Sequence, residues 1–205
     1  MTERGRPRSF DRTAALRRAM EVFWAKGYDG ASLSELTGAM GVNSPSLYAA
    51  FGSKEALFRE AVGLYTDTVG TEIWAAIPEA PTAREAIEQF LYATAEVYAS
   101  PGHPRGCLMV LGAPNPSDNN MGACEILREH RSENVETLRR RLEQAVAGGE
   151  LPHGLDCHAV ASFYVTVQQG MSIQARDGAS RETLLGIGRC AMAAWEGLTS
   201  AGAKS

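Results

Sequence analysis

The sequence predicts an all-α fold, an N-terminal three-helix domain with a helix-turn-helix joined to a larger helical bundle. Two observations carry this. Apolar residues recur at helical spacing through nearly all of the 205 residues, and no segment sustains the period-two alternation of a half-buried strand. Helix-start and helix-stop residues recur closely up to Gly52 and widely after it, so short helices precede long ones. The division expected is residues 1–52 and residues 53–205, long enough together to bury a substantial core.

The elements follow in order. Asp11 can cap a first helix whose inner face is Ala15, Leu16, Ala19, Met20 and Phe23 and which ends before Gly27. Ser32 with Glu35 forms a capping box for a short second helix, Leu33, Leu36 and Met40 inward, closed by Gly41. Ser44 as cap and Pro45 at the first helical position open a third helix that stops at Gly52. Ser53 caps a long fourth helix running through Trp74 to Pro78. Thr82 and Glu85 form a second capping box, and Ser100 to Pro104 end the helix they open. Cys107 to Leu111 makes a brief helix, and a Pro/Asn/Asp-rich loop follows. A long amphipathic helix carries Cys124, Leu127, Val135, Leu138, Leu142 and Ala145 inward and ends at Gly148 and Gly149. Asp156 then caps a helix to about Arg176, and Ser180 another to about Thr199.

Charge is unevenly placed. From Met1 to Arg18 six arginines stand against Glu3 and Asp11, so this stretch is net +4 and the remainder net −8, although the chain as a whole is −4. Positive charge is concentrated at the N-terminus, and its distribution matters more than the sum. No apolar run is long enough to span a bilayer, and the arginine-rich start lacks a signal peptide's apolar core, so a cytoplasmic protein is expected. Cys107, Cys124, Cys157 and Cys190 are widely separated, which predicts free thiols.

A helix-turn-helix reverses direction within three or four residues and presents its second helix to the major groove. Ser32 to Met40, Gly41, and Ser44 to Phe51 have that layout, with Leu33, Leu36, Met40, Val42, Leu47 and Phe51 inward. Asn43, Ser44, Pro45, Ser46, Ala49 and Ala50 are then left outward, small enough for the backbone to approach DNA closely. The run Gly41-Val42-Asn43-Ser44-Pro45-Ser46-Leu47-Tyr48, followed by Phe51-Gly52-Ser53-Lys54-Glu55-Ala56-Leu57, resembles the DNA-binding region of the TetR/AcrR family over roughly Ser9 to Val62.

The resemblance implies a homodimer on a palindromic double-stranded operator, repression, and release when a small apolar or amphipathic effector enters the C-terminal half. It implies phosphate contacts from Tyr48 and Lys54, a donor role for Ser32 at a helix N-terminus, and base-edge contacts from Ser44, Pro45, Ser46 and Ala49. Lys54 stands in a helix first turn, where the macrodipole disfavours a cation, so a phosphate partner accounts for it; a solvated lysine is the other reading. Arg4, Arg6 and Arg8 either reach the adjacent minor groove or form a solubilising tail. Tyr48 either meets phosphate or packs with its hydroxyl at the surface. The outward face of the third helix holds no arginine or glutamine for a bidentate base contact, so specificity would lean on thymine methyls and DNA shape.

In the second half, Tyr65, Trp74, Phe90, Tyr98, Met109, Phe163, Tyr164, Val167 and Met171 are candidates for an effector pocket or for plain core. Gln168 and Gln169 cannot both face water, so one amide needs a buried partner. Cys107 follows Arg105 at a helix start, where dipole and cation both favour thiolate, and an oxidant- or electrophile-sensing regulator is the alternative function. His153, Asp156, Cys157 and His158 lack metal-ligand spacing, so no metal or cofactor is expected. Ala159, Phe163, Gly170, Gly186, Gly188, Ala191, Ala194 and Trp195 permit close helix packing, and the family resemblance makes their helices the dimer interface. The chain has no phosphate loop, G-x-S-x-G or H-E-x-x-H, which argues against an enzyme and leaves no catalytic residue to name.

Overall fold

The structure is a computed structural model that describes residues 10–113 and 115–200. Asp11 accepts the Ala14 N–H at 3.0 Å and opens α1 (Arg12–Gly30). Helical structure does not end before Gly27, as expected, but kinks there (φ 72, ψ 174) and resumes to Gly30. The kink brings the Tyr28 N–H onto the Gly112 carbonyl at 2.6 Å. A Cβ on residue 27 would stand 3.0 Å from that same oxygen, so the contact requires glycine.

Helix α2 (Leu33–Met40) starts on the expected capping box: Ser32 Oγ accepts from the Glu35 N–H, and Glu35 accepts from the Ser32 N–H. Gly41 closes it in the left-handed region at φ 69. Helix α3 (Ser44–Phe51) is capped one residue earlier than expected. Asn43, not Ser44, accepts the Ser46 N–H at 2.9 Å, which leaves Pro45 in the first turn, where a missing N–H costs nothing.

Ser53 caps α4 (Lys54–Tyr65) as expected, but the long helix to Trp74 is interrupted. A π-helical turn at Thr66–Gly70 leads into α5 (Thr71–Trp74) and then α6 (Ala76–Glu79). The cause is local. Thr66, Thr68 and Thr71 hydroxyls bond back to the carbonyls of Val62, Leu64 and Asp67, competing with the helical ladder between Gly63 and Gly70. Pro78 falls inside α6 rather than ending the segment, within its first turn.

Thr82 accepts the Glu85 N–H at the start of α7 (Ala83–Ala99). Glu150, rather than Glu85, takes a further first-turn N–H, that of Ala83. Cys107 precedes α8 (Leu108–Leu111), and the long α9 (Met121–Ala147) ends at Gly148. Asp156 caps α10 (Cys157–Arg176), and Ser180 caps α11 (Arg181–Ala193). The last expected helix is split, because a tighter turn at Ala194 sets Trp195 of α12 (Trp195–Thr199) against Tyr164.

Helix α1 packs on α2 and α4, α9 on α10, and α7 on α11 and α10, with α8 wedged among α1, α4, α9 and α10. The apolar core is continuous across residue 52. Phe23, Tyr28 and Phe58 form an edge-to-face cluster between α1 and α4, each ring pair 5.0–5.1 Å apart where Phe58 is the partner. Full burial of such side chains contributes about 1.5–3 kcal/mol each, which fastens α1 to α4.

Candidate nucleic-acid interface and bundle cavity

The outward face of α3 is formed by Asn43, Ser44, Pro45, Tyr48 and Ala49, all exposed, whereas Ser46 is half-buried. Leu47 and Phe51 fill the inner face with Leu36 and Met40 of α2, so the short α3 is held by its apolar side. Tyr48 is 43 % exposed and free to turn its hydroxyl outward. Asn43 spends its carbonyl on the cap, so only its amide N–H groups remain for another partner. Ser32 is similarly committed, its hydroxyl donating to Glu35 at 2.7 Å. Lys26 of α1 ion-pairs with the same carboxylate, and these bonds hold Glu35 near a pKa of about 2.

Lys54 is half-buried, with Nζ 4.4 Å from the centre of the Tyr28 ring. Burial lowers its pKa from the ordinary lysine value while Asp29 opposes that. Sequence reasoning named Lys54 but not the ring that supports it, because residues 28 and 54 meet only through the α1–α4 contact. Arg12 was missed as an organising residue: it lies over the Phe51 ring at 4.3 Å and pairs with Glu60 at 2.8 Å. Arg4, Arg6 and Arg8 lie outside the described residues.

In the bundle, a cavity of about 270 Å³ opens between the π turn, α5, α8, α9 and α10. Of the expected pocket residues, Tyr65, Trp74, Cys107, Met109 and Gln168 line it. Tyr98 stands directly behind, accepting a hydrogen bond from Gln168 Nε2 at 2.6 Å. This is the buried partner that the amide pair required; Gln168 is buried and Gln169 half-buried. The others are placed elsewhere. Phe90 packs in the core against Trp74, Met171 is fully buried, Val167 is half-buried at its edge, and Tyr164 is core against Trp195. Phe163 is 37 % exposed on the outer side of α10.

The cavity also takes in residues that were not anticipated. Asp67 arrives with the π turn, which periodicity cannot reveal, and Thr71 and Ile73 follow on α5. His130, Asn134 and Thr137 recur at i, i+4 and i+7 on α9, a half-polar stripe that was visible in the sequence. Burial lowers the His130 pKa, against the pull of Glu129 and Glu133.

Cys107 is 5 % exposed, and the cation expected beside it is turned away, since Arg105 donates to the Ala179 carbonyl. Helix α8 is a single turn, and the Cys107 N–H is taken by Ser172 Oγ at 2.8 Å. Neither the expected cation nor a long helix dipole therefore acts on the Cys107 thiol. Arg131 of α9 is the arginine bonded to α8, donating to the Met109 carbonyl at 2.7 Å.

Behind the cavity, residues 103–112 are tied to α1. Trp24 Nε1 donates to the Gly106 carbonyl at 2.9 Å, and the Trp24 ring stacks on His103. Arg176 of α10 donates to the Trp24 and Arg105 carbonyls, capping the last turn before the Gly27 kink. Asn120 donates to Asp29 at 2.6 Å.

On α10, Ala159, Phe163 and Gly170 are exposed, and Ile173 joins them at 47 %. Gly188, Ala191 and Trp195, expected at an interface, are instead buried within this chain. Gly188 allows α11 to approach Leu91 and Tyr92 of α7, and Trp195 covers Tyr164. Gly186 and Ala194 are half-buried. All four cysteines are free, and among the described residues no cluster of three potential metal ligands occurs. No described helix is long and apolar enough to cross a membrane.

Comparison with known proteins gives a consistent result. Residues 15–61 match the family described as bacterial regulatory proteins, tetR family, and residues 83–184 match the tetracyclin repressor-like C-terminal domain. The HTH-type transcriptional repressor ComR of Escherichia coli K12 is 36 % identical over 193 residues, 94 % of this chain and 92 % of ComR. The repressor BdcR of the same organism is 35 % identical over 94 % of this chain and 90 % of its own length. Among solved structures, a cysteine-substituted TetR family regulator, CifR, in complex with 26-bp operator DNA superposes with a TM-score of 0.89 at 44 % identity, covering 93 % of this chain and all of CifR. With the capped α2–Gly41–α3 reader and the helical bundle behind it, the chain belongs to the TetR family of DNA-binding transcriptional regulators.

Proposed function

We propose that the chain is a homodimeric repressor that binds a two-fold symmetric operator through α3 and leaves it when a small molecule fills the bundle cavity. The observation that carries the reading is the shared segment 106–112. Cys107 and Met109 of this segment line the cavity, while its Gly106 and Gly112 carbonyls are bonded to Trp24 and Tyr28 of α1. A ligand that displaces the segment must disturb α1, and α1 carries α2 and α3. Ser44, Pro45, Tyr48 and Ala49 would meet the major groove, with Lys54 and Tyr48 on phosphates. The exposed apolar Phe163 and Ile173 on α10 suit a second subunit. A non-covalent effector is favoured over a Cys107 switch because Arg105 does not serve the thiol.

Selection of binding sites from a random duplex pool tests this. A palindromic consensus is expected, with Tyr48→Ala and Lys54→Ala weakening binding to it. Loss of Lys54 should also lower the salt slope by about one. An asymmetric consensus, or affinity unchanged in the double variant, would overturn the reading.

A further inference from the structure

Tyr65 is 2 % exposed, and its hydroxyl is a buried polar atom without a hydrogen-bond partner among the described residues. It lies at the cavity end formed by Cys107, with the Tyr98 hydroxyl beyond. Burial raises the pKa of Tyr65 well above that of a free phenol, so the group is a neutral O–H donor. Its neighbours do not relieve the O–H: the Cys107 thiol stands beside it, and the nearby Leu108 N–H can only donate to the phenol oxygen. The Gln168 Nε2 is spent on Tyr98, and a thiol is a weak acceptor. A buried donor in this state gains most from an acceptor brought in from outside.

The rest of the lining restricts what can bring that acceptor. Ile73, Trp74 and Met109 supply apolar wall, while Asp67 and Glu133 stand at the polar side. Among the described residues no lysine or arginine lines the cavity, His130 is the base on its wall, and the nearby Arg131 is engaged by the Met109 carbonyl. An anionic ligand would therefore find no free cation on the wall, since Arg140 is paired with Glu133 and burial disfavours the charged form of His130. A positive ligand would place its charge away from Tyr65, which offers a donor and no negative charge. The volume of about 270 Å³ is below the usual range for drug-sized sites, so the occupant is small.

We propose that this cavity takes a small uncharged molecule whose carbonyl or ether oxygen accepts a hydrogen bond from Tyr65 and whose hydrocarbon part lies against Ile73, Trp74 and Met109. The proposal rests on the reading of the cavity as the effector site, and names the chemical class of the effector. Tyr65 then sets selectivity, and the lack of a free cation on the wall disfavours anions.

Four six-membered-ring probes test it on the full-length protein by ligand-observed titration: cyclohexanone, methylenecyclohexane, cyclohexanecarboxylate and cyclohexylamine. Cyclohexanone should bind about five- to tenfold more tightly than methylenecyclohexane, the value of one satisfied buried donor. Cyclohexanecarboxylate should be weaker than both. In Tyr65→Phe the ketone should lose its advantage while the hydrocarbon keeps its affinity. Equal binding of ketone and hydrocarbon to the unmodified protein, a ketone preference that survives Tyr65→Phe, tightest binding of the carboxylate or the amine, or no binding of any probe would each overturn the proposal. Should Tyr65→Phe fail to fold, the ratio in the unmodified protein decides by itself. Operator release followed in parallel separates the two claims. A Tyr65-dependent ketone preference without release removes the effector reading and leaves the cavity chemistry standing, whereas release without Tyr65 dependence does the reverse.

Discussion

Replacing Trp24 by phenylalanine tests how α1 is fastened to the bundle. Trp24 is 1 % exposed, donates from Nε1 to the Gly106 carbonyl at 2.9 Å, stacks on His103 at 4.8 Å and meets Tyr65 edge-on at 4.9 Å. Phenylalanine removes the donor and leaves the carbonyl of a buried glycine unpaired, which costs about 1–3 kcal/mol. Shrinking the ring weakens two aromatic contacts, worth about 0.5–1.5 kcal/mol each when lost entirely. A total near 3 kcal/mol follows. For a chain of this size it lowers the melting temperature by about 6–12 °C. Thermal unfolding followed by circular dichroism should be run at one protein concentration, because dimerisation couples to stability. A loss under about 2 °C would refute the reasoning, since it would mean that the Gly106 carbonyl finds water at no cost and that the Trp24 side chain contributes little to fastening α1.

Asn43→Ala removes the cap of α3 and should cost about 1 kcal/mol in stability together with operator affinity, while Asn43→Ser, an equally good cap, keeps both; chemical denaturation and anisotropy titration distinguish them. Gly27→Ala forces a side chain into φ 72, ψ 174 and against the Gly112 carbonyl, so a loss of about 1–3 kcal/mol is expected in urea denaturation. The Glu35 carboxylate has its pKa lowered to about 2 by Lys26 and Ser32, below its ordinary 4.5. A depressed acid pKa contributes stability that is present above pH 4.5 and is lost as pH falls towards 2. The stability gap between the unmodified protein and Glu35→Gln, which keeps the cap but not the ion pair, should therefore close across that window, and a constant gap would contradict the assignment.

What was legible in the sequence is what is decided within a few residues. Ser32 with Glu35, Ser53, Asp156 and Ser180 cap helices where expected because the cap is a bond between a side chain and an N–H two or three residues on. The α2–Gly41–α3 unit was readable for the same reason, although Asn43 and Ser44 were both competent caps and the geometry of the turn selected the first. Periodicity also identified Leu36, Met40, Leu47 and Phe51 as inward, since one apolar face per helix leaves little choice.

The cavity was decided by tertiary structure. Its outline depends on a π turn at Thr66–Gly70, where threonine hydroxyls and flanking glycines shift the helical register by less than any hydrophobic pattern records. Tyr65 of α4, Cys107 at the start of α8 and Gln168 of α10 meet only because α8 is wedged among α4, α9 and α10. Gly188 and Trp195 carried the pattern of an interface, yet a small residue and a large aromatic serve internal packing equally well, and here α7 and Tyr164 claim them. Local bonds are written in neighbouring residues, so the sequence alone determined the reader helix and its caps. Which distant side chains share a cavity, and which leave a hydroxyl there without a partner, depends on how whole helices pack, and only the tertiary structure decided it.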